Sequence, residues 1–314
     1  MEHIDFKQIL AALGDWNTPI DFITPVQPTK NIKKYLEYYG LDFENVDFHF
    51  GSLQANGKKI MVQMHAPKEA KGTVLLLHGY FDHAGHLKRI IKYLTDQKKR
   101  VIVYDLQGHG LSGGKTLSTK EFTNYGITLK VVIDQMKDQL PRPYYLIGHS
   151  TGGAIIVNYL LKKRTHPFEK AIVLAPLIRS NYWKITVAGY YVLNPFLNKV
   201  LRRYRKNSSD KSYLKFVKQD PLQHDHIPFK WFEALIEWNK SIQHAKPSDE
   251  SLTVIQGNHD KTVDWDYNVK FLKRKFPNAD IIQIDQGKHH LFNEGDDVRK
   301  DVFRIIELEL NTNK

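Results

Sequence analysis

The chain has no cysteine among its 314 residues, so disulfides, a cysteine nucleophile and thiolate metal sites are all excluded. No apolar run approaches the ~18 residues that a membrane-spanning helix requires. The opening residues, Met1-Glu2-His3-Ile4-Asp5-Phe6-Lys7, lack the basic stretch followed by an apolar stretch that marks a secretory leader. Acidic side chains are the scarcer charge, 34 against 46 basic ones, giving a formal net charge of +12. That surplus favours anionic surfaces such as phospholipid head groups or nucleic acid. The lysines are scattered and no nucleic-acid recognition signature is present, which argues against nucleic acid. Internal repeats and low-complexity segments are also missing. The expectation is a soluble, cytoplasmic protein that can rest on an anionic membrane surface.

What the chain does have is enough apolar material for a substantial core, 41% of its residues. Its length suits one large α/β domain with an insertion, or two domains. Two strand-like stretches, 46–54 and 58–65, flank Ala55-Asn56-Gly57, a hairpin turn. From Thr73 onward, strands alternate with helices: strands over 73–77, 100–104, 144–147 and 170–174, helices over 86–97, 120–140 and 152–163. The alternation resumes with strands over 252–256 and 280–285 and helices over 265–276 and 296–310. Short and almost wholly apolar strands such as Val74-Leu75-Leu76-Leu77 predict a mostly parallel sheet with helices on both faces. The interruption over 178–246 is rich in aromatics and cations and reads as an inserted helical cap. The core is then 46–177 and 247–314, with 1–45 as an N-terminal extension packed on it.

Within that alternation, Gly148-His149-Ser150-Thr151-Gly152 follows a strand and opens a helix. A serine hydroxyl is a weak nucleophile unless a strained strand-to-helix turn exposes it to a base. Glycines two before and two after permit the turn, because a Cβ at either place would crowd the neighbouring strand or helix. A serine so placed needs a base, an acid to orient the base, and two backbone donors for the oxyanion. On a doubly wound sheet such groups gather beyond the carboxyl ends of strands. Leu77-His78-Gly79-Tyr80 follows one strand, and the amides of Tyr80 and Thr151 are the predicted donor pair. Asp260 follows another strand and is the predicted acid; Asp264, four residues on, competes with it but suits the cap of the next helix. His289 and His290 follow the last strand, and the residues themselves do not choose between them.

The remaining histidines have a plainer reading. His78, His83 and His109 are expected to orient strand-end loops, and His149 to pack or hydrogen-bond behind the serine. His224-Asp225-His226 has neither helical i, i+4 spacing nor a known ligand frame, so no metal is expected there. No organic cofactor is implied either.

Four ordered motifs now make the chain resemble the α/β-hydrolase group of monoacylglycerol lipases and lysophospholipases over about residues 46–310. They are Gly-His-Ser-Thr-Gly-Gly, His78-Gly79-Tyr80-Phe81-Asp82-His83, the loop Asp105–Gly113, and His289-His290-Leu291-Phe292-Asn293-Glu294. In that family the base opens a His-x-x-x-Asn-Glu pattern, which implies His289. The resemblance implies an α/β-hydrolase fold and ester hydrolysis by Ser150, His289 and Asp260 through an acyl-enzyme. His290 stands where Glu is frequent, a departure from the pattern that implies His289; Asp82 stands where Glu is usual and Gln107 where Arg is usual, and these two bear on substrate preference more than on the reaction. A serine at the elbow argues against epoxide-hydrolase or dehalogenase chemistry, which wants a carboxylate there. Hydrolysis of other esters, thioesters or peptides is the nearest rival, and a non-catalytic binding module the remotest.

In the inserted segment, Tyr182, Trp183, Tyr190, Tyr191 and Phe196 are expected to line an acyl-chain tunnel above Ser150. Each buried methylene contributes ~0.8 kcal/mol, so a long chain needs few polar contacts to bind. Arg202-Arg203-Tyr204-Arg205-Lys206 gathers four cations in five residues, suited to phosphates of a bilayer or of a lysophospholipid head.

Overall fold

A computed structural model describes residues 5–162, 165–202 and 204–312. Residues 1–4, Lys163 and Arg203 of the basic run lie outside the described residues. Before the sheet come α1 (Phe6–Gly14) and α2 (Lys30–Tyr39). Strands β1 (Val46–Ala55) and β2 (Lys58–Pro67) then form an antiparallel hairpin. Asn56 and Gly57, at φ 51° and 65°, close it with both central residues left-handed, the geometry that matches the twist of the flanking strands.

The alternating region follows as β3 (Thr73–Leu77), α3 (Lys88–Asp96), β4 (Arg100–Tyr104), α4 (Thr123–Lys137), β5 (Tyr144–His149), α5 (Thr151–Lys162) and β6 (Phe168–Leu174). The helix expected over 86–97 begins instead as a 3-10 turn, Ala84–Leu87, because the side chain of His83 caps Gly85 and starts the turn early. Next come α6 (Trp183–Leu193), β7 (Lys199–Leu201), α7 (Lys211–Gln219), β8 (His226–Pro228) and α8 (Phe229–Gln243). The chain finishes with β9 (Thr253–Gly257), α9 (Trp265–Lys275), β10 (Asp280–Ile284) and α10 (Asp296–Asn311).

Eight strands form one sheet in the order β1-β2-β4-β3-β5-β6-β9-β10, while β7 and β8 pair separately. Only β2 is antiparallel to its neighbours; every pairing from β4 to β10 is parallel. Alternation along β3 sends Leu75 and Leu77 to one face, with α4, α5 and α8, and Val74 and Leu76 to the other, with α3 and α10. Helices α1 and α2 add Leu13, Ile32, Tyr35 and Tyr39 to that second layer. This is the architecture of an α/β-hydrolase.

From β3 the chain steps to β4 on one side, and β5 lies against β3 on the other. The loops leaving β3 and β5 therefore diverge, and a crevice opens between them at the carboxyl ends of the strands. Residues 178–246 add no strand to the large sheet among the described residues and sit over this crevice.

Candidate active site

The turn after β5 holds Ser150 at φ 52°, a conformation costing a residue with a Cβ about 1–3 kcal/mol unless its surroundings enforce it. They do: the Ser150 amide donates to the Leu174 carbonyl at 2.9 Å, and its own carbonyl accepts from Ala154 at 2.9 Å and Leu177 at 3.0 Å. The two elbow glycines answer to close approach. A Cβ on Gly148 would lie 2.7 Å from the Gly152 backbone, and one on Gly152 only 2.5 Å from the Leu77 carbonyl oxygen of β3.

Ser150, His289 and Asp260 come together from three separate strand ends. His289 Nε2 is 3.0 Å from Ser150 Oγ, and its Nδ1 is 2.8 Å from Asp260 Oδ2. All three are buried. With Nδ1–H donated to the carboxylate, Nε2 is left as the acceptor that faces the hydroxyl. Burial raises the Asp260 carboxyl, but the charge and hydrogen bond of His289, together with the amides of Thr262 and Val263, outweigh it and hold the group below its ordinary value. Asp264 lies apart, its side chain accepting from Tyr267 as the cap of α9.

His290 faces the other way, its Nδ1 3.3 Å from the Tyr213 hydroxyl of α7. Burial pushes its pKa down to about 3, so it stays neutral. His149 places Nε2 2.8 Å from the backbone carbonyl of His289 and so braces the loop behind that ring. His78 accepts from the Leu106 amide at 2.9 Å, tying the loops after β3 and β4 together.

Thr151 opens α5, where the first amides have no acceptor within the helix. Tyr80 follows Gly79, at which a Cβ would come within 3.2 Å of the Ser150 side chain, so the β3 loop runs hard against the serine. Its ring stacks on Trp231 at 3.8 Å and its hydroxyl donates to the Leu117 carbonyl at 2.7 Å, which fixes the loop without using the amide.

Above the serine is a cavity of about 730 Å³, walled mainly by apolar side chains of α6, α7 and α8. The expected lining is corrected here. Tyr190, 6% exposed, faces the cavity, but Trp183, 9% exposed, is turned onto Phe232. Tyr182, Tyr191 and Phe196 are 65%, 54% and 82% exposed and lie outside it, because α6 presents only one side to the cavity. Phe229, Phe232 and Leu235 of α8 line it instead. Their three-residue spacing is a helical stripe legible in the sequence, though nothing there said which way the stripe faced.

The structure also reveals a buried cluster with no sequence motif. Asp220, at the end of α7, accepts from the Tyr39 hydroxyl at 3.0 Å and meets His83 at 3.0 Å and His86 at 2.7 Å. His86 Nδ1 is 3.1 Å from Asp82. Burial works against a charge on His86, but the two carboxylates prevail and push its pKa up to about 9. His83 Nδ1 accepts from the Gly85 amide, so its Nε2 carries the proton given to Asp220. Hydrogen bonds alone satisfy this set. In 224–226, His226 bonds the neighbouring Asp225.

Residues 68–296 match the hydrolase family described as serine aminopeptidase, S33. The chain belongs to this family. Its relatives include a monoglyceride lipase homolog of Monkeypox virus, 25% identical over 248 residues, covering 76% of this chain and 88% of the relative. An abhydrolase domain-containing protein of Dictyostelium discoideum is 24% identical over 199 residues, covering 60% of this chain but only 21% of that protein's length. Among solved structures, a soluble variant of monoglyceride lipase from Saccharomyces cerevisiae, in complex with a substrate analog, shares the fold with a TM-score of 0.72 and 21% identity. That likeness covers 84% of this chain and 95% of the other. No helix among the described residues is long and apolar enough to cross a membrane.

Proposed function

We propose that this α/β-hydrolase cleaves carboxylic esters of lipid-like substrates, as a lysophospholipase or monoacylglycerol lipase. The observation that carries the reading is the hydrogen-bonded chain Asp260–His289–Ser150 beneath a deep apolar cavity. Ser150 Oγ attacks the ester carbonyl while His289 Nε2 takes its proton. Asp260 keeps the ring in one tautomer and stabilises its cation. The carbonyl oxygen becomes negative between the amides of Tyr80 and Thr151, and loss of one such donor raises a barrier by about 3 kcal/mol. His289 returns the proton to the departing alcohol, and water then releases the acyl group by the same steps.

The acyl chain lies along Tyr190, Phe229, Phe232 and Leu235, the apolar wall. An aminopeptidase reading fares worse, since a carboxylate is the natural partner of a substrate ammonium and none lines the cavity among the described residues. Outside the cavity, Tyr182, Ile185, Val192 and Phe196 form an exposed apolar face beside Lys184 and Lys199. We assign this face to peripheral contact with an anionic membrane from the cytoplasm, with a salt-sensitive rate on vesicles as its mark.

The test is a fluorophosphonate probe together with a panel of lysophospholipids, monoacylglycerols and p-nitrophenyl esters. Labelling at Ser150 with turnover of long-chain esters is expected. An unlabelled serine means a binding module, and turnover confined to short esters or peptides removes the lipid assignment.

A further inference from the structure

Four cations, Arg202, Arg205, Lys206 and Lys218, line the cavity above Ser150, and no carboxylate does among the described residues. Arg202 is half-buried, whereas the other three are exposed. Its guanidinium lies 3.9 Å over the Phe81 ring and 4.4 Å over that of Tyr204. Its hydrogen bonds go to neutral acceptors, the Gln223 side chain and the His224 carbonyl. Gln223 in turn donates to the Phe81 carbonyl at 2.6 Å, so side chain and loop are fixed to each other. Phe81 directly follows Tyr80, whose amide faces the reacting carbonyl in the reading above. Arg205 bonds the Lys261 carbonyl, beside the loop that carries Asp260.

A half-buried guanidinium held only by neutral groups and ring faces keeps its full charge to offer to a ligand. Burial draws its pKa below the ordinary value without removing the charge. Asp82 acts on it only through space, its carboxylate facing His86 at 3.1 Å.

We infer that the substrate is an acyl ester whose alcohol part bears a phosphate of net negative charge, and that Arg202 is the residue that reads it. The inference rests on the ester-hydrolase reading and narrows its substrate class. With the acyl chain along the α8 wall and its carbonyl at Ser150, the alcohol side meets Arg202 against the oxyanion loop. A planar guanidinium can hold two phosphate oxygens at once. A choline-type head would set its ammonium among cations with no carboxylate to meet it, and an uncharged glycerol leaves the guanidinium unanswered in a site that substrate dries. The phosphate is untouched by the chemistry. The ester C–O bond breaks, water's hydroxyl joins the acyl group, its proton goes to the alcohol oxygen, and a fatty acid and a phosphorylated alcohol leave.

The experiment compares kcat/KM of the full chain on three esters with one acyl chain: monoacylglycerol, the choline lysophospholipid and lysophosphatidic acid. Each is presented at the same low mole fraction in neutral-detergent micelles. The phosphate monoester is expected to lead by about tenfold or more, the scale of one charge-assisted contact. Arg202→Gln should collapse that ratio mainly through KM, and Arg202→Lys should restore part of it. Lys270→Gln, which removes an equal charge from an exposed pair on α9 outside the cavity, should leave the ratio alone. In a further arm, monoacylglycerol is given in micelles doped with an anionic, non-hydrolysable ether lipid. If doping alone reproduces the preference, the cations read the surface and the inference falls. Equal rates on the three esters also overturn it while leaving the hydrolase intact. No turnover on any ester, with Ser150 unlabelled by fluorophosphonate, overturns the hydrolase reading instead. If Arg202→Gln unfolds, the ranking of the unsubstituted chain and the doped-micelle arm decide by themselves.

Discussion

The floor and the roof of the cavity are built by different rules. The floor is made of strand ends: Ser150, Asp260 and His289 hang from β5, β9 and the turn after β10, and ladder bonds fix their spacing. The roof, α6 to α8, adds no strand to that sheet and is held by side chains, such as Trp238 donating to Asn158 at 3.0 Å, with isolated backbone bonds such as the His290 amide to the Asn207 carbonyl at 2.9 Å. In the reaction proposed above, chemistry that needs sub-ångström placement falls to the part the backbone determines, and selectivity, which tolerates drift, to the part held more by side chains.

The sharpest way to break this division is at the floor. Ser150→Ala should lower kcat about ten-thousandfold or more, while urea unfolding moves by no more than about 1 kcal/mol. A large loss of stability would mean that the serine holds the turn rather than performs chemistry. Asp260→Asn should cost somewhat less, about a thousandfold or more, with KM little changed, because only the tautomer and charge at His289 are disturbed.

Where floor and roof join, Asp220→Asn should destabilise by about 3 kcal/mol, since it strips a carboxylate from two buried histidines. His86 carries its own pH signature. Its pKa in the folded protein, about 9, exceeds the ordinary value, so its stabilisation is complete below about pH 6.5 and is lost as pH rises through 9. Asp82 and Asp220 are held below the ordinary carboxylate value, against the cost of burial, by the histidines beside them, so their share is lost on the acid side. Unfolding midpoints against pH should therefore fall on both flanks, and Asp220→Asn should flatten the alkaline one.

At the roof the effects shrink. Tyr190→Ala should flatten the dependence of kcat/KM on acyl length, costing long esters about tenfold more than a butyrate, the worth of one or two methylene contacts. Phe196→Ser, outside the cavity, should leave a soluble ester unaffected and reduce turnover on anionic vesicles about twofold to fivefold. An equal effect on both would place Phe196 in the substrate's path.

The same division decides what was legible beforehand. Strand ends, elbow glycines and the order Ser, Asp, His are local patterns with one structural meaning, so the floor could be read residue by residue. Choosing His289 over His290 needed the family resemblance, because adjacent residues differ only in direction. The roof's aromatics were visible as a group, but their direction depends on how α6 and α8 settle on the sheet. Hence Tyr190 faces inward while Tyr191, its neighbour, faces water. Asp220 gave no signal at all: its partners His86, His83 and Tyr39 are 134, 137 and 181 residues away in sequence, and only folding brings them together.

The Asp220 carboxylate also decides which edge of the roof is fastened in the buried interior. It fastens the end of α7 to α2 and to the turn after β3, so this side of the roof behaves as the hung edge of a door. The α6 edge has no buried carboxylate of that kind among the described residues; its ties are the bonds of Asn181 to the Lys261 and Thr262 carbonyls, at the surface.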